Sequence, residues 1–89
     1  MEYYSLKMNK RKENEKKYTN WIDSEGERMY FSWINGRYGW KAKYIKVVNN
    51  NEETISFSQE IYNDKRELTE IHEKYPIDKG HIKLKNETN

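Results

Sequence analysis

Residues 28–48 constrain the fold of this chain more than any other stretch, because they have the pattern of a β-hairpin. Two runs of alternating aromatic and polar residues flank Asn35-Gly36, a dipeptide that tight hairpin turns favour. Both residues accept the positive φ angles that a type I′ turn requires. The sequence therefore predicts that the chain reverses direction at Asn35-Gly36.

A two-residue turn fixes which side chains share a face of the hairpin, since it pairs Ile34 with Arg37 and side chains alternate along each strand. A four-residue loop, residues 35–38, gives the same sorting, so the loop length stays open. The predicted apolar face contains Met29, Phe31, Trp33, Tyr38, Trp40 and Ala42. The predicted polar and basic face contains Tyr30, Ser32, Ile34, Arg37, Gly39, Lys41 and Lys43.

Shorter runs on both sides of this hairpin predict further strands and complete a small meander. The alternation changes phase at Tyr44-Ile45, which indicates a β-bulge there or a strand that is covered on both faces. The candidate strands are residues 2–8, 18–23, 54–58 and 81–85. The expected cross-strand pairs are Trp21 with Met29, Ile55 with Val47 and Phe57 with Ile45.

Residues 59–75 have two interpretations, and the choice between them decides the fold class. Apolar residues at helical spacing favour a helix that ends before Pro76. The alternative is a second hairpin, with strands at residues 59–63 and 68–75 around a turn at residues 64–67. The helix is preferred, so the predicted fold is α+β: a small antiparallel β-meander of four to five strands packed by one C-terminal helix. An all-β meander or barrel is the alternative.

Composition limits the functional classes. A chain of 89 residues forms one domain at most, in which residues 9–17 predict a solvated basic loop or an exposed helical turn and residues 86–89 a frayed tail. The absence of cysteine excludes disulfides and thiolate metal sites. No apolar run reaches the roughly 18 residues of a membrane span, and a cytoplasmic protein without a membrane partner is expected. The net charge of +2 is small, but residues 28–51 carry five basic side chains and no acidic one.

His72 and His81 are the only histidines and the candidates for catalytic chemistry. They do not have a recognised zinc spacing, so neither a metal nor a cofactor is predicted. If they converge with Tyr75 and Lys83, the set would supply the acid, base and phosphate clamp of a small metal-independent ribonuclease. Whether they converge stays open, and no catalytic residue is assigned.

The aromatic and basic residues of the hairpin are the stronger functional signal. Such a surface can anchor a protein interface, or it can stack single-stranded bases while its cations contact phosphates. We expect a small non-enzymatic protein that docks on a protein or a protein–nucleic-acid complex, as phage-encoded inhibitors and adaptors do. A single-stranded RNA or DNA binder is the first alternative and the ribonuclease the second, and unpaired sheet edges would allow a homodimer. The predicted binding residues are Trp33, Arg37, Tyr38, Trp40, Lys41, Lys43, Lys10, Arg11 and Lys12.

Overall fold

The computed structural model describes residues 2–84, with side chains from residue 6 onward, and this part of the chain is mostly β-sheet. One N-terminal α-helix precedes six strands, which form an antiparallel sheet in chain order with β1 and β6 at its two open edges. The elements are α1 (Glu2–Lys17), β1 (Asn20–Ser24), β2 (Glu27–Asn35), β3 (Lys41–Asn49), β4 (Thr54–Tyr62), β5 (Leu68–Tyr75) and β6 (His81–Lys83). The predicted tail at residues 86–89 lies outside the described residues.

The predicted C-terminal helix is wrong, because residues 59–75 belong to β4, a turn and β5, as in the hairpin alternative. The side-chain oxygen of Asn63 holds the turn by accepting hydrogen bonds from the backbone N–H groups of Lys65 and Glu67, at 2.9 and 3.0 Å. The β4–β5 pairing changes register at two positions. These irregularities interrupt the apolar alternation that marks a strand. For this reason the sequence pattern favoured a helix over the two strands that the structure contains.

The N-terminal segment is also corrected, since α1 covers the strand predicted at residues 2–8, and residues 9–17 are helical, as in the helical-turn alternative, rather than a basic loop. The segment is rich in Lys and Glu, which form helices readily, and Arg11 pairs with Glu15 one turn later at 3.4 Å. The helix has almost no amphipathic character, and this absence of an apolar stripe led to the prediction of a loop.

The predicted hairpin reversal between residues 28 and 48 is confirmed by the pairing of β2 with β3, but its register differs. Phe31 lies opposite Ile45 rather than Trp40, a shift of five residues, and the loop consists of residues 36–40. Because the shift is odd, each β3 side chain lies on the opposite face of the hairpin from the one predicted. The apparent phase change near Ile45 follows from the wrong register, because β3 pairs with β2 without interruption.

The remaining cross-strand predictions change with this register. Trp21 lies opposite Tyr30 instead of Met29, and thus on the other face of the sheet from Met29. An irregularity occurs on β3, between Val47 and Val48 in the pairing with β4, and not at Tyr44-Ile45. The observed partners across this pairing are Val47 with Ser56, Lys46 with Phe57 and Ile45 with Ser58.

Polar side chains attach the end of α1 to one face of the sheet. Asn14 donates to the carboxylate of Glu52 at 3.1 Å and accepts a hydrogen bond from the Lys46 ammonium at 3.0 Å. Arg28 donates to Glu15 of the helix at 2.9 Å. The helix is therefore held by buried and half-buried hydrogen bonds rather than by an apolar stripe.

The core of the described residues is small and lies beneath this helix end. Tyr18, Tyr30 and Val48 are its buried apolar side chains, with the Tyr18 and Tyr30 rings 5.8 Å apart. The Tyr30 hydroxyl donates to Glu52, and burial together with this bond raises the pKa of Tyr30 to about 12. Arg28 is buried too and bonds Asp23 with two nitrogens, which raises the pKa of Arg28 and lowers that of Asp23.

The strand register divides the sheet into two faces. The helix face carries Tyr30, Lys46 and Val48, on which the end of α1 lies. No described helix covers the opposite face, which we call the open face. Along β1, β2 and β3 the open face contains Asn20, Ile22, Ser24, Glu27, Met29, Phe31, Trp33, Asn35, Lys41, Lys43, Ile45, Val47 and Asn49.

Candidate binding surface

The loop between β2 and β3 is closed by its own backbone at the end of the sheet far from α1. The N–H of Gly36 donates to the carbonyl oxygen of Trp40 at 2.7 Å. The N–H of Trp40 donates to the carbonyl oxygen of Arg37 at 3.0 Å. These two bonds span residues 36–40 and define the path of the loop without help from side chains.

Tyr38 projects from this loop. Its side chain is 87% exposed, and its backbone has the left-handed angles φ 58° and ψ 31°. The following residue, Gly39, also has a positive φ of 81°. The positive φ angles predicted for Asn35-Gly36 therefore occur three residues later, at Tyr38-Gly39, and Gly36 itself is extended at φ −99°.

The loop between β4 and β5 packs beside the first loop. A Cβ atom on Gly39 would lie 3.1 Å from the Cβ of Asp64, so glycine permits this close approach. Together the two loops and the adjoining strand ends form a groove. Its lining residues are Trp33, Gly39, Lys41, Tyr62, Asn63, Asp64 and Arg66.

Aromatic rings and cations lie in this groove and beside it on the open face. The rings of Trp33 and Tyr62 lie 5.1 Å apart between centroids, and the Lys43 ammonium lies 5.3 Å from the Trp33 ring and 4.8 Å from the Phe31 ring. The Tyr62 hydroxyl donates to Glu60 at 2.8 Å, and burial together with this bond raises the pKa of Tyr62 to about 12. Tyr62 thus lines the groove with its ring held in one orientation and its hydroxyl neutral at physiological pH.

We call the aromatic and basic side chains at this end of the sheet the tip surface. It includes five of the predicted binding residues and two that sequence reasoning missed, Tyr62 and Arg66. The strand interpretation of residues 59–75 would have placed both beside the first loop. The tip surface consists of Trp33, Arg37, Tyr38, Trp40, Lys41, Tyr62 and Arg66.

The structure separates the two groups of predicted binding residues. Lys41 and Lys43 lie on the same face as Phe31 and Trp33, whereas the predicted register placed cations and aromatics on opposite faces. Lys10, Arg11 and Lys12 lie on α1, which meets the sheet at the other end of β2, and a nine-residue strand spans about 30 Å. The helix cations therefore do not join the tip surface.

The two histidines do converge, on adjacent strands of the helix face. His72 and His81 are directly opposite, with ring centroids 4.5 Å apart. The Nε2 atom of His72 lies 2.6 Å from Asp78, and its Nδ1 atom is buried without a hydrogen-bond partner. His81 is half-exposed and 3.5 Å from Glu70. Asp78 thus orients the His72 ring, and His81 is the more exposed member of the pair. A catalytic role for the two histidines stays a prediction.

Two features of the described residues bear on other classes of function. Between residues 2 and 84, His, Asp and Glu side chains do not gather in groups of three or more that could hold a metal ion. The helix described at the N-terminus is neither long nor apolar enough to cross a bilayer, and no other described helix is. The chain matches no protein-family model, and comparisons with curated proteins and with solved structures likewise find no significant match.

Proposed function

We propose that this chain is a small non-enzymatic binding protein that docks on a protein partner, alone or within a protein–nucleic-acid complex, through its tip surface. The observation that carries this proposal is Tyr38, a large aromatic side chain held almost fully in solvent by a closed loop. A left-handed conformation costs a bulky residue about 1 kcal/mol or more. That cost is not offset by burial within the chain, which favours a role for the side chain outside it.

The residue types of the tip surface are those that dominate protein interfaces. Trp, Tyr and Arg supply most binding hot spots, and Trp33 and Trp40 remain 44% and 39% exposed beside Tyr38 and Arg37. The loop bonds at 2.7 and 3.0 Å fix the backbone before binding. A fixed loop loses less conformational entropy on association than a mobile one, so its contacts contribute more to affinity.

The charges around the tip surface indicate the chemistry of the partner. Arg37, Lys41, Lys65 and Arg66 lie in or beside the two loops, against the acidic Asp64 and Glu67. This excess of positive charge favours a partner whose contact surface is acidic around an apolar pocket. Association should therefore slow as salt is raised, while the aromatic contacts determine how long the complex lasts.

The test is an affinity capture from source-cell lysate followed by titration of the captured protein. Tyr38→Ala is expected to weaken binding by roughly thirtyfold, the effect of a hot spot worth about 2 kcal/mol, with unfolding unchanged. The matched control is Ile77→Ala, which removes a 66% exposed apolar side chain at the helix end of the sheet. If both variants bind with the affinity of the wild type, the tip surface is not part of the interface.

A nuclease-treated lysate separates the first alternative from this proposal. A single-stranded nucleic acid would also use stacked aromatics and cations, and its binding would fall steeply with salt. If capture disappears after nuclease treatment and Tyr38→Ala abolishes oligonucleotide binding, the partner is a nucleic acid and not a protein.

A further inference from the structure

The open face leaves a contiguous apolar patch on β1, β2 and β3 without cover from the described residues. Met29 lies opposite both Ile22 and Val47, and Phe31 lies opposite Ile45. Ile22 is 55% exposed, and the other four are partly exposed. We call these five residues the open-face patch. A sheet with one apolar face in water is not a stable arrangement unless another layer packs on it.

The exposed area of the chain is large enough to accommodate such a layer. The chain exposes 7002 Å². A folded monomer of 11.0 kDa exposes about 5,600 Å² on average. The difference, about 1,400 Å², belongs to the chain as a whole, of which the open face is one part, and a stable protein interface buries roughly 800 Å² on each partner.

Charges at the two ends of the open-face patch are complementary under a two-fold rotation. Glu27 precedes Met29 at one end of the patch, and Lys43 precedes Ile45 at the other, about 20 Å away along the strands. A two-fold axis through the middle of the patch, in the plane between the sheets and perpendicular to the strands, exchanges these ends. It places Lys43 of each copy near Glu27 of the other across the roughly 10 Å that separates packed sheets.

We propose that a second copy of this chain covers the open face, so that two sheets pack as a symmetric sandwich around the open-face patch. Met29 and Val47 of one copy then face Phe31 and Ile45 of the other. The Lys43–Glu27 pairs lie at the rim and select this orientation over others. The net charge of the chain is only +2, so long-range repulsion between copies is weak.

This arrangement leaves the two loops of each tip surface accessible, whereas Trp33, which lies level with Lys43 on the open face, is at the rim of the interface. The two-fold axis passes closer to the helix end of β2 than to residues 36–40, so the two loops lie at opposite ends of the dimer. A dimer would therefore offer two binding sites to a multivalent partner. The inference does not depend on the proposed function, because dimerisation is measured without any partner.

The experiment is sedimentation equilibrium of the full chain over a range of concentrations, with folding of every variant checked by circular dichroism. The wild type should sediment with twice the 11.0 kDa of one chain. Phe31→Asp should give a monomer. Glu27→Lys and Lys43→Glu each bring like charges together at two symmetric places, so each should weaken the dimer by roughly tenfold or more. The double variant should restore wild-type affinity.

The charge exchange keeps the test decisive even if Phe31→Asp does not fold. A wild type that remains monomeric at the highest concentration would overturn the proposal. A dimer that neither single charge variant weakens would also overturn it and would favour pairing through the exposed β1 edge. Two weakened single variants without recovery in the double variant would refute the two-fold arrangement.

Discussion

Removing the Tyr30 hydroxyl is the sharpest test of how α1 and the sheet are joined. Tyr30 is fully buried, and its hydroxyl donates to Glu52, which also receives a hydrogen bond from Asn14 of the helix at 3.1 Å. Tyr30→Phe leaves a buried carboxylate with one donor fewer. Loss of such a charged hydrogen bond costs about 2 kcal/mol, so the free energy of unfolding at pH 7 should fall by about that amount.

The pH dependence of this loss follows from the raised pKa of Tyr30. The folded pKa is about 12, above the ordinary value of 10.0. The hydroxyl therefore contributes stability that is fully present below pH 10 and lost as the pH rises towards 12. At pH 11 the wild type should have lost about 1.4 kcal/mol of this contribution, whereas Tyr30→Phe has none to lose. The difference in free energy of unfolding between the wild type and Tyr30→Phe, which we call the gap, should thus shrink to well under 1 kcal/mol.

Urea unfolding followed by tryptophan fluorescence at pH 7, 9, 10 and 11 measures this gap directly. Tyr38→Phe is the matched control, since it removes a hydroxyl from an 87% exposed side chain and should change stability by less than about 0.5 kcal/mol. A gap for Tyr30→Phe that is as large at pH 11 as at pH 7 would refute the role assigned to the hydroxyl.

Two further predictions address the loops. Gly39→Ala should destabilise the protein by about 1–2 kcal/mol, because φ is +81° and the new methyl group would lie 3.1 Å from the Cβ of Asp64. Thermal unfolding measures this loss, and an unchanged unfolding midpoint would contradict the close approach of the two loops. Asp78→Asn should reduce the acid sensitivity of the protein, because the bond to His72 lowers the pKa of Asp78, and its contribution, present above pH 4, is lost as the pH falls through the folded value. Unfolding midpoints from pH 5 to pH 2 that fall in parallel for both proteins would contradict this.

Local chemistry made part of the fold predictable. The alternating aromatic runs on both sides of residues 35–40 allow little besides a hairpin, and β2 and β3 pair antiparallel as predicted. The loop inside that hairpin was not predictable from its best dipeptide. Asn35-Gly36 suits a two-residue turn, but the five-residue loop keeps Ile45 in phase with Phe31 and lets Gly39 approach the neighbouring loop.

The residues of the candidate site could likewise be identified only in part from the sequence. Trp33, Tyr38 and Arg37 could be named from the hairpin sequence, although their binding role stays a prediction. Tyr62 ends β4 and Arg66 lies in the loop that follows, 22 or more residues beyond Trp40, and pairing of β4 with β3 brings them to the tip surface. A residue-by-residue pattern carries no information about such a meeting, because it depends on which strand edges pair.

The sequence by itself determined that the chain reverses within residues 28–48 and that aromatic and basic residues concentrate there, because turn chemistry and side-chain alternation act over a few residues. Tertiary structure decided the strand register, the attachment of α1 and the identity of the exposed face. Those outcomes depend on hydrogen bonds between distant partners, such as Asn14 with Glu52 and Tyr30 with Glu52. In the sequence, the polar residues that form such bonds look the same as the polar residues of a solvated loop, so the pattern alone does not identify them.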